Sequence, residues 1–419
     1  MITARFLQIH TLQSYTAALL NRDDSGLAKR LPYGGAMRTR ISSQCLKRHW
    51  RKAEEDPHAL LKIAGVEDAF RSRELVTIKV MGPLHGKISD ACWDVLENVF
   101  QTSVYGDKGD KKKGRQTLLF GAPELTWLAG QAQMLAPDVE TAIAATMTGL
   151  GAPPKDEKAL AKYREDRVKK CLKAAETVTK LWKDKFSKNM EALREAAAIN
   201  VGLTSALFGR MVTSDPAANI EAPIHVAHAF TVHEEQTEGD YFTAVDDLKR
   251  DEDDSGADTI QETELTSGLY YGYVVIDIPG LVSNLTGCKR AEWLAPSTDR
   301  TMAAEVVHNL LYLIAEISPG AKLGSTAPYG RADLVLVEAG DRQPRSLSAA
   351  YRDPVAPSLG DAMQAMAMHL GNMDADYDTG EARRALHRWN DELPRSPRTS
   401  LRDIAQWAKA AVLAGEAQP

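Results

Sequence analysis

Short runs of β-branched and aromatic residues predict the strands of this chain. TARFLQIHTL at residues 3–12 predicts a first strand, and LVTIKVM at 75–81 predicts another. Strand composition returns in APIHVAHAFTVH at 222–233 and in SGLYYGYVVIDI at 267–278. ADLVLVEA at 332–339 predicts the last strand. Runs of this kind, bounded by turn residues, are typical of strands in a packed sheet.

Helical periodicity dominates the rest of the chain. From about residue 88 to 205 the pattern is mainly helical, and it includes a charged helix from about 155 to 200. An amphipathic helix is predicted over 299–317, where apolar residues recur at helical spacing: Met302, Val306, Leu310, Leu313 and Ile317. The tail contains two further helix-like segments, at 358–372 and 380–413.

A strand followed by a helix is also predicted near the N-terminus. Residues 38–41 alternate as a short strand does, and Ser42 or Ser43 is then a good N-cap, because a serine oxygen accepts from first-turn amides. Four polar residues share one face of this helix: Gln44, Lys47, Arg48 and Arg51. The opposite face can pack on a core through Leu46, Trp50 and Ala53.

Charge makes this segment the strongest functional signal. Eight Lys and Arg and no Asp or Glu fall between Lys29 and Lys52, although the formal net charge of the chain is −6. Such a cluster is typical of a surface that binds nucleic acid, and the free amides at a helix N-terminus also bind phosphate. On charge alone, a solvated basic surface is an equally compatible interpretation.

Composition and cysteine spacing restrict the class of protein. A chain of 419 residues, 44% hydrophobic and 26% charged, can form a large core and two lobes. No apolar run is long enough to span a bilayer and the N-terminus lacks a signal-peptide core, so we expect neither secretion nor membrane insertion. The four cysteines are widely spaced and form no CxxC, which predicts a cytoplasmic location without zinc or disulfides.

The order of the predicted elements favours an α+β fold. Its core has the order βαββαβ of a ferredoxin-like or RRM-like domain, with a helical insertion after the first strand and helix. A sheet of this kind can present one face to single-stranded RNA. Two predicted strands flank residues 234–266, which suggests a long hairpin. Residues 234–264 carry thirteen Asp and Glu but only two Lys and Arg, so this segment is either a solvated loop or a contact for a basic partner, including another copy of the chain.

Three histidines invite a metal-site interpretation, but the pattern argues against it. The three are His225, His228 and His233. On a strand, side chains three residues apart point to opposite faces, so those of His225 and His228 do not converge. We therefore predict no metal site and no cofactor.

Two loops contain other candidate residues. PGAKLGSTAPYG at 319–330 lacks the ending of a P-loop, although Lys322 within it can contact a phosphate or simply occupy a turn. Asp23 and Asp24 can hold a divalent metal for hydrolysis, or they can stabilise their own loop by hydrogen bonds. No arrangement of catalytic residues follows from spacing.

Seven blocks of the sequence form a recognisable series along the chain: LNRDDSG at 20–26, GGAMRTRISSQCLKRHWRK at 34–52, ALFGRMVTS at 206–214, IHVAHAFTVH at 224–233, DYFTAVDDL at 240–248, ELTSGLYYGYVVID at 264–277 and SPGAKLGSTAPYGRADLVLV at 318–337. In this order they closely resemble the CRISPR-associated CasC family, the backbone subunit of the type I-E Cascade surveillance complex. The resemblance covers about residues 3–337, is weak over 58–195 and does not extend into the tail.

The resemblance implies the fold of the RAMP superfamily, with an RRM-like palm, helical fingers and a β-hairpin thumb. Mapped onto this chain, the domains are: palm at 1–57, 206–239 and 269–340; fingers at 58–205; thumb at 240–268; C-terminal helical extension at 341–419. It also implies that copies stack head to tail along a CRISPR RNA, that each thumb kinks the RNA at regular intervals, and that the remaining bases pair with target DNA.

The same resemblance implies the RNA-binding residues. The palm contacts would be Lys29, Arg40, Ser42, Gln44, Lys47, Arg48 and Arg51, which are largely the residues that charge and helix geometry select. Lys322 is a further candidate RNA contact, because of its place in the loop at 319–330. Arg210 and Met211 would lie beside the RNA. Phe242, Thr243 and Ile260 would be the thumb residues at the kink. The acidic run at 251–254 is unexpected beside RNA, and Lys111–Lys113 and the basic helix at 155–188 would line the target-DNA path or face solvent.

The resulting expectation is a non-catalytic, filament-forming RNA-binding subunit that acts in antiviral defence. Its expected partners are CRISPR RNA, target DNA by way of the guide, other copies of itself, the large and small subunits, the subunit that binds the 5′ handle and the endonuclease that processes the CRISPR RNA. One alternative is a metal-dependent ribonuclease. Backbone subunits of related type III effectors cut RNA with an acidic residue in the loop after the first strand, and Asp23 and Asp24 lie in the comparable loop here. The other alternative is a stand-alone RNA-binding module.

Overall fold

The segments with the strongest strand pattern form one nine-stranded antiparallel sheet, the largest feature of the computed structural model. The structure describes residues 1–106, 117–150, 153–180, 182–184, 186, 202–211, 219–244 and 259–419. The chain divides into two compact units. The first comprises Met1–Ala64, Pro223–Val282 and Arg290–Pro419, and the second comprises Gly65–Ala222 and Ser283–Lys289.

The elements of both units are numbered in chain order. The strands are β1 (Ile2–Thr3), β2 (Phe6–Ala18), β3 (Arg30–Tyr33), β4 (Ala36–Ile41), β5 (Ala69–Ser72), β6 (Leu118–Gly121), β7 (Ile224–Val226), β8 (Ala229–Thr231), β9 (Gln236–Ala244), β10 (Thr259–Asp277), β11 (Ala332–Gly340), β12 (Ala382–His387) and β13 (Glu416–Ala417). The α-helices are α1 (Ser43–Arg51), α2 (Asp90–Tyr105), α3 (Ala122–Thr148), α4 (Glu157–Ala174), α5 (Leu203–Phe208), α6 (Ile278–Thr286), α7 (Thr301–Glu316), α8 (Leu323–Thr326), α9 (Leu359–Tyr377) and α10 (Leu401–Ala414). None of the helices in the described ranges has the length and apolar character needed to cross a bilayer.

The large sheet belongs to the first unit and has the order β12-β11-β2-β10-β8-β4-β3, while β7 and β9 also pair with β10. All of these pairings are antiparallel. Six elements of this unit follow the order βαββαβ along the chain: β2, α1, β8, β10, α7 and β11. In the sheet, their four strands lie side by side in the order β11-β2-β10-β8, which is fourth, first, third and second along the chain. The predicted strands at 3–12, 267–278 and 332–339 therefore occupy the middle of the sheet.

One face of this sheet packs against helices. Tyr15 on β2 and Tyr270 on β10 form a buried cluster with Ile41, and Leu46 of α1 packs against it. Trp50 of α1 is only 3% exposed, as its position opposite the polar face of α1 predicts. The apolar stripe of α7 is likewise buried at Val306, Leu310 and Leu313, as its helical periodicity requires.

The C-terminal tail covers the other face. Leu12 of β2, Tyr271 of β10 and Leu336 of β11 form a buried cluster with Met363 and Met366 of α9. The expectation that the sheet offers an open face to single-stranded RNA is therefore wrong for this chain. The sequence did not reveal this, because the tail and the sheet that it covers are far apart along the chain.

A buried cluster of charged residues ties the tail to the sheet. The Glu338 carboxylate accepts hydrogen bonds from His10 Nε2 at 3.0 Å, from Arg345 Nη1 at 2.7 Å and from Arg383 Nε at 2.7 Å. Arg383 also donates to Asp374 of α9 at 2.7 Å. Because β2, β11, β12 and α9 each contribute one member, the cluster fixes their relative positions.

The pKa of Glu338 reflects this arrangement. Burial alone would raise it, but the hydrogen bonds from His10 and Arg345 outweigh burial and hold the pKa of Glu338 well below its usual range. Burial lowers the pKa of His10, so the imidazole is neutral. Its Nε2–H donates to Glu338, and its Nδ1, 2.9 Å from the Tyr271 hydroxyl, accepts from it.

The second unit is mainly helical, with one small hairpin formed by β5 and β6. Leu96 and Phe100 of α2, Leu128 of α3 and Cys171 of α4 belong to its buried core. The mainly helical pattern predicted from about residue 88 is confirmed over the described helices. The boundaries predicted for the fingers, 58–205, stay predictions, and Lys111–Lys113 and residues 187–188 lie outside the described residues.

Two secondary-structure predictions are wrong. Val76–Met81 forms a π-helical turn and not a strand: Val76 and Val80 are buried in the helical core while Ile78 is 61% exposed, so packing on helices overrides the strand propensity. In the tail, residues 382–387 are not helical. They form β12, which pairs with Leu334–Ala339 of β11 and so satisfies an edge that would otherwise be unpaired.

We expect Glu338→Gln to lower the free energy of unfolding by about 3–5 kcal/mol, since removing one member of a buried ion pair leaves its partners uncompensated. Urea unfolding followed by tryptophan fluorescence measures this. Glu316→Gln is the matched control, because Glu316 contacts the exposed Arg331 at 3.5 Å and should contribute less than about 1 kcal/mol. Equal stability of the two variants would mean that the cluster does not hold the tail in place.

Candidate nucleic-acid interface

The N-terminus of α1 is built as its sequence predicts. Ser42 has extended backbone angles and its hydroxyl accepts from the Cys45 N–H, so Ser42 is the N-cap. The Ser42 N–H itself donates to Asn21 Oδ1 at 2.8 Å, which fixes the loop before the helix. Because α1 is only nine residues long, Arg48 and Arg51 lie in its last turn. There their positive charges interact favourably with the helix dipole.

A cleft of about 620 Å³ lies beside this helix. Its walls include three of the predicted RNA contacts, Ser42, Gln44 and Arg48. The loop carrying Asp23 and Asp24 and the glycine-rich loop at 320–321 complete the walls. The cleft therefore brings together three segments of the chain that resemble the CasC family, and Gln44 and Arg48 are exposed in it.

Other predicted contacts converge on His228, which the sequence considered only as a metal ligand. Arg40 Nη1 lies 3.5 Å from His228 Nδ1, and the Ser43 N–H donates to the same nitrogen at 3.0 Å. Partial desolvation lowers the pKa of His228, and the charges of Arg40, Lys29 and Lys47 lower it further. Arg40 therefore lies beside His228 at the start of α1, and the charges of Lys29 and Lys47 act on the same ring.

Two other basic residues are held by the hairpin that β9 and β10 form. Arg30 makes ion pairs with Glu235 and Glu264, at the base of that hairpin. Glu264 also accepts from the Ala28 N–H at 2.6 Å. The Lys322 amine donates to Thr263 Oγ1, so this predicted phosphate contact lies against the hairpin stem.

Arg38 has a structural role. It is fully buried, and its guanidinium donates to the carbonyl oxygens of Thr231 at 3.0 Å and Tyr351 at 3.1 Å. Along β4, therefore, Arg38 points into the protein, and Arg40 lies partly exposed beside His228. Neighbouring arginines of the basic cluster thus serve different purposes.

The hairpin predicted as the thumb extends from β10. Residues 236–244 of β9 pair with residues 259–267 of β10, and Ile260 lies opposite Thr243. Only the backbone is described for Phe242, Thr243 and Ile260. The acidic run at 251–254 lies outside the described residues.

Arg210 and Met211, both in the second unit, differ in accessibility. The Arg210 guanidinium is buried and pairs with the buried Glu124 at 2.8 Å, so the structure does not support the predicted RNA contact of Arg210. A buried charge needs a close counter-charge, and Glu124 provides one. Met211 is 77% exposed and can contact a ligand.

The acidic loop and the histidines show no metal-binding geometry. Asp23 Oδ1 accepts from the Ser25 N–H at 2.9 Å and the Leu27 N–H at 3.0 Å, so it stabilises its own turn. His233 is buried and accepts from the Leu269 N–H. Within the described ranges, no group of three or more His, Cys, Asp or Glu could hold a metal ion. Cleavage through Asp23 and Asp24 stays an untested prediction.

We expect Arg30→Ala to loosen the hairpin stem, because Glu235 and Glu264 then lose their shared cation. Amide hydrogen exchange in residues 236–241 should accelerate about tenfold, as a loss of roughly 1.4 kcal/mol of local stability implies. Arg331→Ala removes an exposed arginine from the same unit and should leave this exchange unchanged. Exchange as slow as that of the wild type would show that Arg30 does not anchor the stem.

Comparison with known proteins adds to this geometry. The chain is similar to a chain of a solved structure titled "CRISPR RNA-guided surveillance complex, pre-nicking", with a TM-score of 0.71 and 24% identity over 97% of this chain and 100% of that one. A second, titled "CRISPR RNA-guided surveillance complex", matches with a TM-score of 0.53 and 20% identity over 97% and 99%. No curated protein matches the chain. The family model described as CT1975-like protein matches residues 7–409, and the chain therefore belongs to the CT1975-like protein family.

Proposed function

We propose that this chain is the RNA-binding, filament-forming backbone subunit of a type I-E CRISPR surveillance complex. The observation that carries the proposal is the cleft beside the capped start of α1, which Ser42, Gln44 and Arg48 line, with Arg40 at the same helix start beside His228. The shared fold with chains of CRISPR RNA-guided surveillance complexes supports it, as does the resemblance to the CasC family.

The architecture proposed for the subunit is a palm, fingers and a thumb. The βαββαβ order of β2, α1, β8, β10, α7 and β11, with neighbouring strands in the order fourth, first, third, second, supports an RRM-like palm. The helical second unit corresponds to the fingers and the hairpin of β9 and β10 to the thumb. Residues 341–419 close the second face of the palm sheet.

This closure determines how RNA can be held. RRM domains stack bases on an open sheet face, and here both faces are covered. The guide would instead lie along α1, where its phosphates meet Arg40 just before the helix and Lys47, Arg48 and Arg51 within it. Contacts of this kind bind any sequence, because they read the backbone and not the base edges.

The thumb would supply the kink. In this proposal Phe242, Thr243 and Ile260 of a neighbouring copy insert beside one base step and disrupt its stacking, which costs roughly a few kcal/mol. Phosphate contacts over several copies offset that cost. The bases between kinks stay free to pair with target DNA, so the guide and not the protein chooses the target.

The proposed role is non-catalytic and cytoplasmic. The partners are CRISPR RNA, further copies of the chain, and the other subunits of the complex, including the large and small subunits, the 5′-handle-binding subunit and the processing endonuclease. The palm residues proposed to touch RNA are Lys29, Arg40, Ser42, Gln44, Lys47, Arg48 and Arg51.

We expect Lys47→Ala to weaken binding of single-stranded RNA regardless of its sequence. Each lost phosphate contact should also flatten the slope of log affinity against log salt by roughly 0.7. Fluorescence anisotropy over a salt series measures both quantities. Arg402→Ala removes an exposed cation from α10 and is the control, expected to leave affinity and slope unchanged. A wild-type slope for Lys47→Ala would refute the palm assignment.

The decisive experiment is co-expression of the tagged chain with a CRISPR array and its neighbouring genes. We expect a multi-copy particle that contains RNA of discrete length flanked by repeat sequence, identified by sequencing the co-purified nucleic acid. Recovery of the chain without RNA, or with heterogeneous cellular RNA only, would contradict the proposal and favour a stand-alone RNA-binding module.

A further inference from the structure

His228 occupies an interruption in the sheet. Strand β7 ends at Val226 and β8 begins at Ala229, so His228 lies in the gap between two strands that both pair with β10. Its side chain is exposed. Because His228 lies outside a strand, its side chain does not follow the alternation between the two faces of the sheet. Its ring points to the N-terminus of α1.

The hydrogen bonds of the ring determine which nitrogen carries the proton. The Ser43 backbone N–H can only donate, and it lies 3.0 Å from His228 Nδ1. Arg40 Nη1, at 3.5 Å from the same atom, is also only a donor. Nδ1 is therefore an acceptor, and the neutral ring carries its proton on Nε2, which has no hydrogen-bond partner among the described residues. Nε2–H is thus a donor on the opposite side of the ring from α1.

The surroundings of His228 favour a negatively charged ligand. Arg40, Lys29 and Lys47 disfavour a further positive charge on the ring, and the same three cations attract an anion. A neutral N–H donor adds a directional hydrogen bond to such a site without adding repulsion. Phosphate oxygens accept hydrogen bonds of this kind, and those to a charged acceptor are the stronger ones.

We propose that His228 is a further RNA-binding residue, whose Nε2–H donates to a phosphate oxygen of the guide while its Nδ1 caps α1. The inference rests on the proposed function and deepens it. It gives one side chain two roles: it holds the start of α1 in place, and it contacts the phosphate that α1 and its neighbouring cations attract.

Two substitutions separate these roles. In His228→Asn, the amide oxygen takes the position of Nδ1 and can still accept from Ser43, but the chain is too short to replace Nε2–H. In His228→Gln, the amide nitrogen reaches the position of Nε2 and can still donate. The probe is a labelled oligouridylate too short to span two copies, titrated with each full-length variant by anisotropy, with Lys47→Ala measured in parallel.

We expect His228→Asn to lose about tenfold in affinity, the loss typical of one hydrogen bond to a charged group, and His228→Gln to stay within about twofold of the wild type. Wild-type affinity for His228→Asn would overturn the proposal. A loss confined to His228→Gln would overturn it too, because a residue that only caps α1 would tolerate Asn and not Gln. If His228→Asn binds normally while Lys47→Ala is impaired, only this inference fails. If neither variant is impaired, the proposed function fails too.

Discussion

The ladder of backbone hydrogen bonds along β10 is the constraint on which the rest of the structure depends. β10 pairs with β2 from Thr266 to Asp277, with β7 and β8 on its other side, and with β9 from Thr259 to Ser267. One strand thus belongs both to the middle of the sheet and to the projecting hairpin. A slip of one residue along this ladder would turn every side chain of β10 to the opposite face of the sheet. The hydrogen bonds of β10 therefore hold the hairpin and the core in a single register.

The two faces of the sheet are closed by different physical means. Helices α1 and α7 bury apolar side chains against one face, and the tail covers the other with both an apolar cluster and the ionic cluster at Glu338. Buried charges are tolerated there because each has a close partner of opposite sign. With both faces covered, this sheet has no open face on which bases could stack.

The basic residues of the chain divide into structural and accessible groups. Arg38 and Arg210 are buried, where backbone carbonyls or Glu124 satisfy them, and Arg30 anchors the hairpin base. Arg48 remains exposed in the cleft, and Arg40 remains partly exposed beside His228. Charge clustering therefore overstates how many cations can meet a ligand, since burial satisfies some of them internally.

The sequence by itself determined the local features: the strands at the centre of the sheet, the Ser42 cap, the face of α1 that carries Gln44 and Arg48, and the amphipathic α7. Each depends on residues close together in the chain, so periodicity and capping rules suffice. Only the tertiary structure decided that Val76–Met81 is helical, that the tail closes the sheet, and that His228 faces α1. Those outcomes depend on distant partners, such as Tyr351 for Arg38, 313 residues away, and no local pattern records which distant residues will bury a side chain.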